Sequence, residues 1–252
     1  MKQVLALLAA AALAEQTWAQ QTQSLALRGH EQRLHLYGPP SGDPVIVTSG
    51  DGGWVHLAPH IASVLSARGF HVVGFDAKAY LTSFTSGRTT LDPTLEADDY
   101  AALAQLAAAA TSKKPVLIGV SEGAGLSLLA ATNARIKQVI GGVLGVGLPD
   151  VNELGWRWQD SVIYFTHKVP NEPTFSTSAV AANVTPVPLA AIHSTNDEFV
   201  PIDVVQHVMR NANEPKRLWI VNASDHRFSN NTQEFDARLL EALDWIRQHA
   251  PK

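Results

Sequence analysis

The chain has 252 residues, 46% of them hydrophobic and 17% charged, which is enough for one sizeable core and too apolar for a disordered chain. The formal net charge is -4 and no long run of Lys or Arg occurs, which sets aside a nucleic-acid partner, since that would need a basic stripe to neutralise its phosphates. With no cysteine, disulfides, thiolate chemistry and thiol-linked lipid are excluded too.

The first residues read as an export signal. Lys2 supplies positive charge, Val4 to Ala14 is apolar, and small-x-small sites follow at Ala12-Leu13-Ala14 and Thr17-Trp18-Ala19. The apolar run falls short of the roughly 20 residues needed to span hydrocarbon. The pattern therefore predicts a signal peptide over 1–19 and one domain over 20–252, in the periplasm or, as the alternative, secreted.

Two alternating stretches between Ser24 and Leu36, separated by Gly29-His30, predict an antiparallel pair at a sheet edge. Val45 to Val47 is a short buried strand, followed by Ser49-Gly50-Asp51-Gly52-Gly53 and a helical pattern from Trp54 to Arg68 that stops at Gly69. Val72 to Phe75 is the next strand and ends at Asp76, where a carboxylate commonly accepts from loop N–H groups. A polar loop, Ser83 to Asp92, leads to an Ala-rich helix over Leu95 to Ala110. Strand Val116 to Val120, a turn at Ser121 and a helix to about Ala131 come next, then an apolar strand from Val139 to Val146. Residues 150–181 read as an irregular, aromatic, cap-like insert. Val187 to Ile192, a helix after Pro201, Leu218 to Val221 and a helix from Thr232 to His249 complete the chain. Alternating strands and helices imply an α/β fold with a mostly parallel sheet covered on both faces.

Gly119-Val120-Ser121-Glu122-Gly123 fits G-x-S-x-G, between a β-branched strand and a helix, where a nucleophile elbow belongs. Such a turn raises the serine Oγ above the sheet and sets the Glu122 N–H at a helix N-terminus, ready for an oxyanion. A serine hydroxyl needs a base, and the base needs a carboxylate to fix its tautomer. In the chain order Ser, acid, His, the loop after Ile192 offers Asp197, with Glu198 as competitor, and the loop after Val221 offers His226. Asp225 beside it is assigned to the turn. The second oxyanion donor falls on Asp51 or Gly52.

The glycine loop resembles a phosphate cradle, yet no G-K-[ST] follows it. His56 and His60 have a zinc-like spacing, but Pro59 intervenes and the glutamate of H-E-x-x-H is missing. No metal and no other cofactor is expected. Trp156, Trp158, Tyr164 and Phe165 serve either as core or as the wall of an apolar substrate groove.

Ser49-Gly50-Asp51-Gly52-Gly53-Trp54, Gly74-Phe75-Asp76 with Tyr80, the elbow, Asp197 to Pro201 and Asp225 to Phe228 together resemble the bacterial virulence family typified by VirJ and AcvB, an α/β-hydrolase group. The resemblance implies periplasmic export, contact with a membrane surface and hydrolysis of aminoacylated phosphatidylglycerol. Trp54 and Tyr80, within these motifs, and Trp156 and Trp158 of the insert are the candidate substrate-binding residues. Glu122 stands where that family carries an aromatic residue, and Gly125 where it carries an acid. Three functions follow: a serine hydrolase of a small-molecule or lipid ester, a general periplasmic carboxylesterase, and a non-catalytic binding or assembly factor.

Overall fold

Short β-branched runs that carry an apolar residue at every position are the signature of strands buried on both faces. They form a sheet of eight strands in the computed structural model, which describes residues 20–158 and 172–251. The segment read as an export signal lies outside the described residues, as do Tyr164 and Phe165.

In chain order the strands are β1 (Gln21–Leu27), β2 (His30–Tyr37), β3 (Asp43–Thr48), β4 (Phe70–Phe75), β5 (Val116–Val120), β6 (Gly142–Val146), β7 (Val151–Glu153), β8 (Thr174–Ser176), β9 (Leu189–Ser194) and β10 (Lys216–Val221). The helices are α1 (Leu57–Ser66), α2 (Ala77–Phe84), α3 (Glu96–Ala107), α4 (Glu122–Ala130), α5 (Ile136–Val139), α6 (Thr177–Val180), α7 (Ile202–Asn211) and α8 (Thr232–His249). The main sheet runs β1-β2-β4-β3-β5-β6-β9-β10. Pairing is antiparallel at β1–β2 and β2–β4 and parallel everywhere else, so the mostly parallel sheet and its antiparallel edge pair are as expected.

Period-two alternation divides the core in two. Ile46, Val73, Leu117, Val143 and Ala191 face α2, α3, α4 and α7. Their neighbours Val45, Val47, Val72, Ile118, Leu144 and Ile192 face α1 and α8. On α8 the buried residues Phe235, Leu239, Ala242, Leu243 and Ile246 recur at helical spacing. Each of its large side chains contributes about 1.5–3 kcal/mol relative to exposure.

Three local readings change. α2 occupies residues read as no element; Asp76 starts it, its Oδ1 accepting from Ala79 N at 3.0 Å. The apolar run from Val139 is part helix and part strand, with β6 beginning at Gly142, because a short apolar run carries no distinguishing period. Within the insert, β7 and β8 pair into a two-stranded antiparallel ribbon.

A polar network lies on the α2–α3 side. Arg28, in the β1–β2 hairpin, donates to Asp99 Oδ2 at 2.6 Å, and the Tyr80 hydroxyl donates to the same oxygen at 2.6 Å. Beside them Glu96 is fully buried, with neither carboxyl oxygen hydrogen-bonded. Burial, reinforced by Asp99, holds its proton to well above the usual carboxylate range. The unfolded chain releases that proton near the ordinary value of about 4.3. Stability therefore falls as pH rises from there toward the folded value. Glu96→Gln is expected to raise the melting temperature more at pH 8 than at pH 5, measured by calorimetry at both. An equal shift at the two pH values would reject this linkage.

Candidate active site

β5 ends at Ser121, whose φ of 51° and ψ of -120° are rare for a residue with a side chain. Such a backbone stores about 1–3 kcal/mol, so the surroundings must hold it. They do so through the Ser121 N–H, which donates to Val146 O at 2.9 Å, and through Ala124 N, which donates to Ser121 O at 2.8 Å as α4 begins. The flanking glycines are required by contact. A Cβ on Gly123 would collide with the carbonyl oxygens of Ser49 and Thr48, and one on Gly119 with Gly123 O and the Ala124 backbone.

The loop after β9 carries Asp197, the expected acid. Asp197 Oδ1 accepts from Val200 N at 2.8 Å and Phe199 N at 3.0 Å, while Oδ2 lies 2.6 Å from His226 Nδ1. Burial pushes this carboxyl up, but the His226 hydrogen bond and charge and the two N–H donors outweigh it and hold it below the usual value. A carboxylate on Nδ1 makes that nitrogen the donor and leaves Nε2 as the basic nitrogen of the neutral ring. Glu198, the competing acid, has a different job: its Oε2 accepts from the His226 backbone N–H at 2.7 Å. The Phe199 ring meets the imidazole edge-on at 5.6 Å between centroids. Three consecutive residues therefore grip one histidine.

From the other side, Phe228 anchors the same loop. Its φ of 58° is unusual for a bulky residue, yet its ring is fully buried and stacks on Phe235 of α8 at 4.6 Å. Burial of about 1.5–3 kcal/mol is enough to offset a left-handed backbone costing roughly 1–2 kcal/mol. Asp225 shapes the turn, accepting from Arg227 N at 3.0 Å and Ser229 N at 2.9 Å.

Gly147 connects Ser121 and His226. Its φ is 60°, and a Cβ there would overlap the His226 ring. The preceding carbonyl, Val146 O, is the one that holds Ser121 N. Ser121 and His226 are thus packed around a single dipeptide at the C-terminal end of β6. Gly147 and the role of Glu198 are not apparent in the sequence, although Gly147 lies just beyond a predicted strand, where a glycine signals a special backbone.

The glycine loop closes as a turn, with Gly53 N donating to Gly50 O at 3.0 Å. Asp76 Oδ2 accepts from Trp54 N at 3.1 Å, tying the loop to the start of α2 as its strand-end position implied. Asp51 and Gly52 stand at the tip of this turn. The loop residue packed on the nucleophile is Gly50, where a Cβ would lie 3.3 Å from Ser121 Cβ.

Other candidates lie elsewhere. Tyr80 is fully buried in the Arg28–Asp99 network, its ring packed on Phe75 and Phe84. No face is left for a ligand, which corrects its assignment to substrate binding. Trp54 stacks on His35 at 4.7 Å and covers Gly74, so its indole serves the packing of β2 and β4. Trp156 packs on the core with the Lys78 ammonium 4.1 Å from its ring centroid, while Trp158 is 71% exposed. His60 is engaged by Asp236 at 2.7 Å. Among the described residues, no group of three His, Asp or Glu could hold a metal ion.

Beneath the acid, His193 is fully buried, its Nε2 2.9 Å from Val200 O and 3.9 Å from Asp197 Oδ2. Burial lowers its pKa, so the ring is neutral and donates to the Val200 carbonyl; the longer contact is not an ion pair. It stiffens the Asp197–Val200 loop.

The model of a family described as bacterial virulence protein (VirJ) matches residues 43–148. No curated protein matches the sequence. Among solved structures, the esterase domain of a Rhodothermus marinus protein is 18% identical, covering 91% of this chain and 98% of that one at a TM-score of 0.61. A dienelactone hydrolase from Anabaena variabilis is 16% identical over 93% of this chain and 100% of its own, at 0.64. A membrane phospholipase A described as a bacterial virulence factor is 13% identical over 90% and 87%, at 0.62. The fold is that of the α/β-hydrolases.

Glu198→Ala removes the acceptor of the His226 N–H, a charge-assisted bond of about 1.5–3 kcal/mol. The expected result is lower stability and a shifted downfield proton signal from the His226–Asp197 bond in NMR spectra. Glu198→Gln, which keeps an acceptor, is expected to restore most of both. Spectra and stability unchanged in Glu198→Ala would refute the positioning role.

Proposed function

We propose that this chain, which has the α/β-hydrolase fold and matches the VirJ family model over residues 43–148, hydrolyses an ester through Ser121, His226 and Asp197. The observation that carries the reading is the 2.6 Å Asp197–His226 bond, set across Val146–Gly147 from a strained serine.

Ser121 Oγ attacks the carbonyl carbon as its proton passes to His226 Nε2. The oxyanion is held by the Glu122 N–H at the head of α4 and by an N–H of Asp51 or Gly52. Collapse expels the alcohol, which takes the proton from Nε2 and leaves an acyl-enzyme. Water then attacks with the same histidine as base, releasing the acid and returning the proton to Ser121. Asp197 holds the imidazole tautomer and stabilises the cation formed in each step.

The substrate we propose is the one the family resemblance implies, an aminoacylated phosphatidylglycerol cleaved to the amino acid and the lipid, on the outer side of a membrane that the protein meets peripherally after export; the VirJ match over residues 43–148 supports this reading. The esterase neighbours keep a small-ester carboxylesterase as the second reading. Mature protein incubated with lysyl- and alanyl-phosphatidylglycerol is expected to release amino acid, and Ser121→Ala to lose at least about 10³-fold in rate and all labelling by a fluorophosphonate. Fast turnover of short nitrophenyl esters without amino acid release would favour the second reading. Equal labelling of Ser121→Ala would overturn the nucleophile.

A further inference from the structure

β9 and β10 run parallel and in register as far as Ser194 and Val221, and the Thr195 N–H adds one more main-chain rung by donating to Val221 O at 3.0 Å. Beyond it the two chains part, one toward Asp197 and the other toward His226. The carbonyl that would take the next rung, Ala223 O, is met by side chains instead. Asn196 Nδ2 donates to it at 2.8 Å, and the Ser194 and Thr195 hydroxyls approach it at 3.2 Å each. A carbonyl oxygen has two lone pairs, so these donors more than fill it, and the shortest bond belongs to Asn196.

The rest of this stretch is fixed from within. The Ala223 methyl is buried in the layer that faces α8. Asn231 Nδ2 donates to Asn222 O at 3.0 Å, and the Ser224 N–H donates to Asn230 Oδ1 at 2.7 Å, so the loop is tied to its own return on either side of Ala223. Its polar ties to the Asp197 loop fall on the Ala223 carbonyl, the His226 N–H and the imidazole. Asn196 takes the first, Glu198 the second and Asp197 the third.

A single hydrogen bond to a ring survives while the side chain swings about its torsions, so the Asp197 bond alone does not fix where Nε2 lies. A backbone held at residues 223 and 226 leaves the imidazole only its own two torsions, and Gly147 and the Phe199 ring wall these in. We propose that Asn196, backed by the Ser194 and Thr195 hydroxyls, is a positioning residue of the reaction. By filling the rung that the parting strands leave open, it sets the spacing of the two loops and with it the place of His226 Nε2 before Ser121. This rests on Ser121, Asp197 and His226 being the reacting set, and it adds to them a residue that acts through the histidine backbone.

The test is the saturation kinetics of fluorophosphonate labelling, a readout independent of the natural substrate. Thr195→Val with Asn196→Ala removes two of the three donors. It is expected to lower the labelling rate at saturation about tenfold, because a base displaced by a fraction of an ångström loses alignment with the nucleophile. The probe concentration for half-saturation is expected to stay within about twofold, since the variant touches the base and not the binding surface. The downfield proton signal of the His226–Asp197 bond is expected to shift, measured well below the melting temperature. A contribution to folding alone would lower the melting temperature and move neither the rate nor the signal. Asn196→Gln in the same Thr195→Val background keeps a carboxamide donor and is expected to recover most of the rate. Native rate and signal in the Thr195→Val, Asn196→Ala variant, or equal losses with Ala and Gln at 196, overturn the positioning role and leave the hydrolase standing. Absence of labelling in native protein overturns the reading on which it rests.

Discussion

A helix N-terminus can approach two strands closely only where side chains are missing from the contact. Here α4 presses against the ends of β3 and β5 through Gly123 and Gly119, and Ser121 is forced into its strained turn between them. The energy stored there is small beside the burial of β5 and α4, whose Val116, Leu117, Ile118, Leu126 and Leu128 are within the core. Core packing therefore sustains the strain, and the hydroxyl is held at the sheet edge before any ligand arrives. Relaxation would require separating α4 from β3, at the expense of both apolar layers.

Orientation of His226 rests on a second set of constraints, built from loops. Asp197, Glu198 and Phe199 each touch His226 at a different place: the ring nitrogen, the backbone and the ring edge. Phe228, two residues on, fastens the loop into the α8 side of the core. Rigid positioning of loop residues is what lets an imidazole act without reorganisation at the moment of proton transfer. His193, neutral and buried below, extends this support to the Asp197–Val200 loop.

Buried acids on the α3–α4 side form a contrasting environment. Arg28 compensates Asp99, whereas burial and neighbouring acids push the Glu96 and Glu122 carboxyls well above the usual carboxylate range. Asp197, equally enclosed, is kept ionised by directed donors. Carboxyl groups of similar exposure thus differ in charge because hydrogen-bond donors reach one and not the others. A negative centre beside the His226 ring follows from that difference.

Much of this architecture was legible in the residues. Alternating strands and helices, the glycines around Ser121, and Asp197 and His226 in loops after strands are local patterns, since turn sterics and period-two burial act over a few residues. The span of α8 could be read directly, because its apolar spacing is regular over 18 residues. Tertiary structure alone decided which acid meets which atom of His226, because adjacent residues 197 and 198 satisfy the same sequence rule and differ only in direction. It also decided that Tyr80 is core, that Gly147 makes room for the imidazole, and that the Glu122 side chain is buried. Those outcomes depend on contacts between segments distant in the chain, and a linear pattern carries no information about which surfaces are brought together.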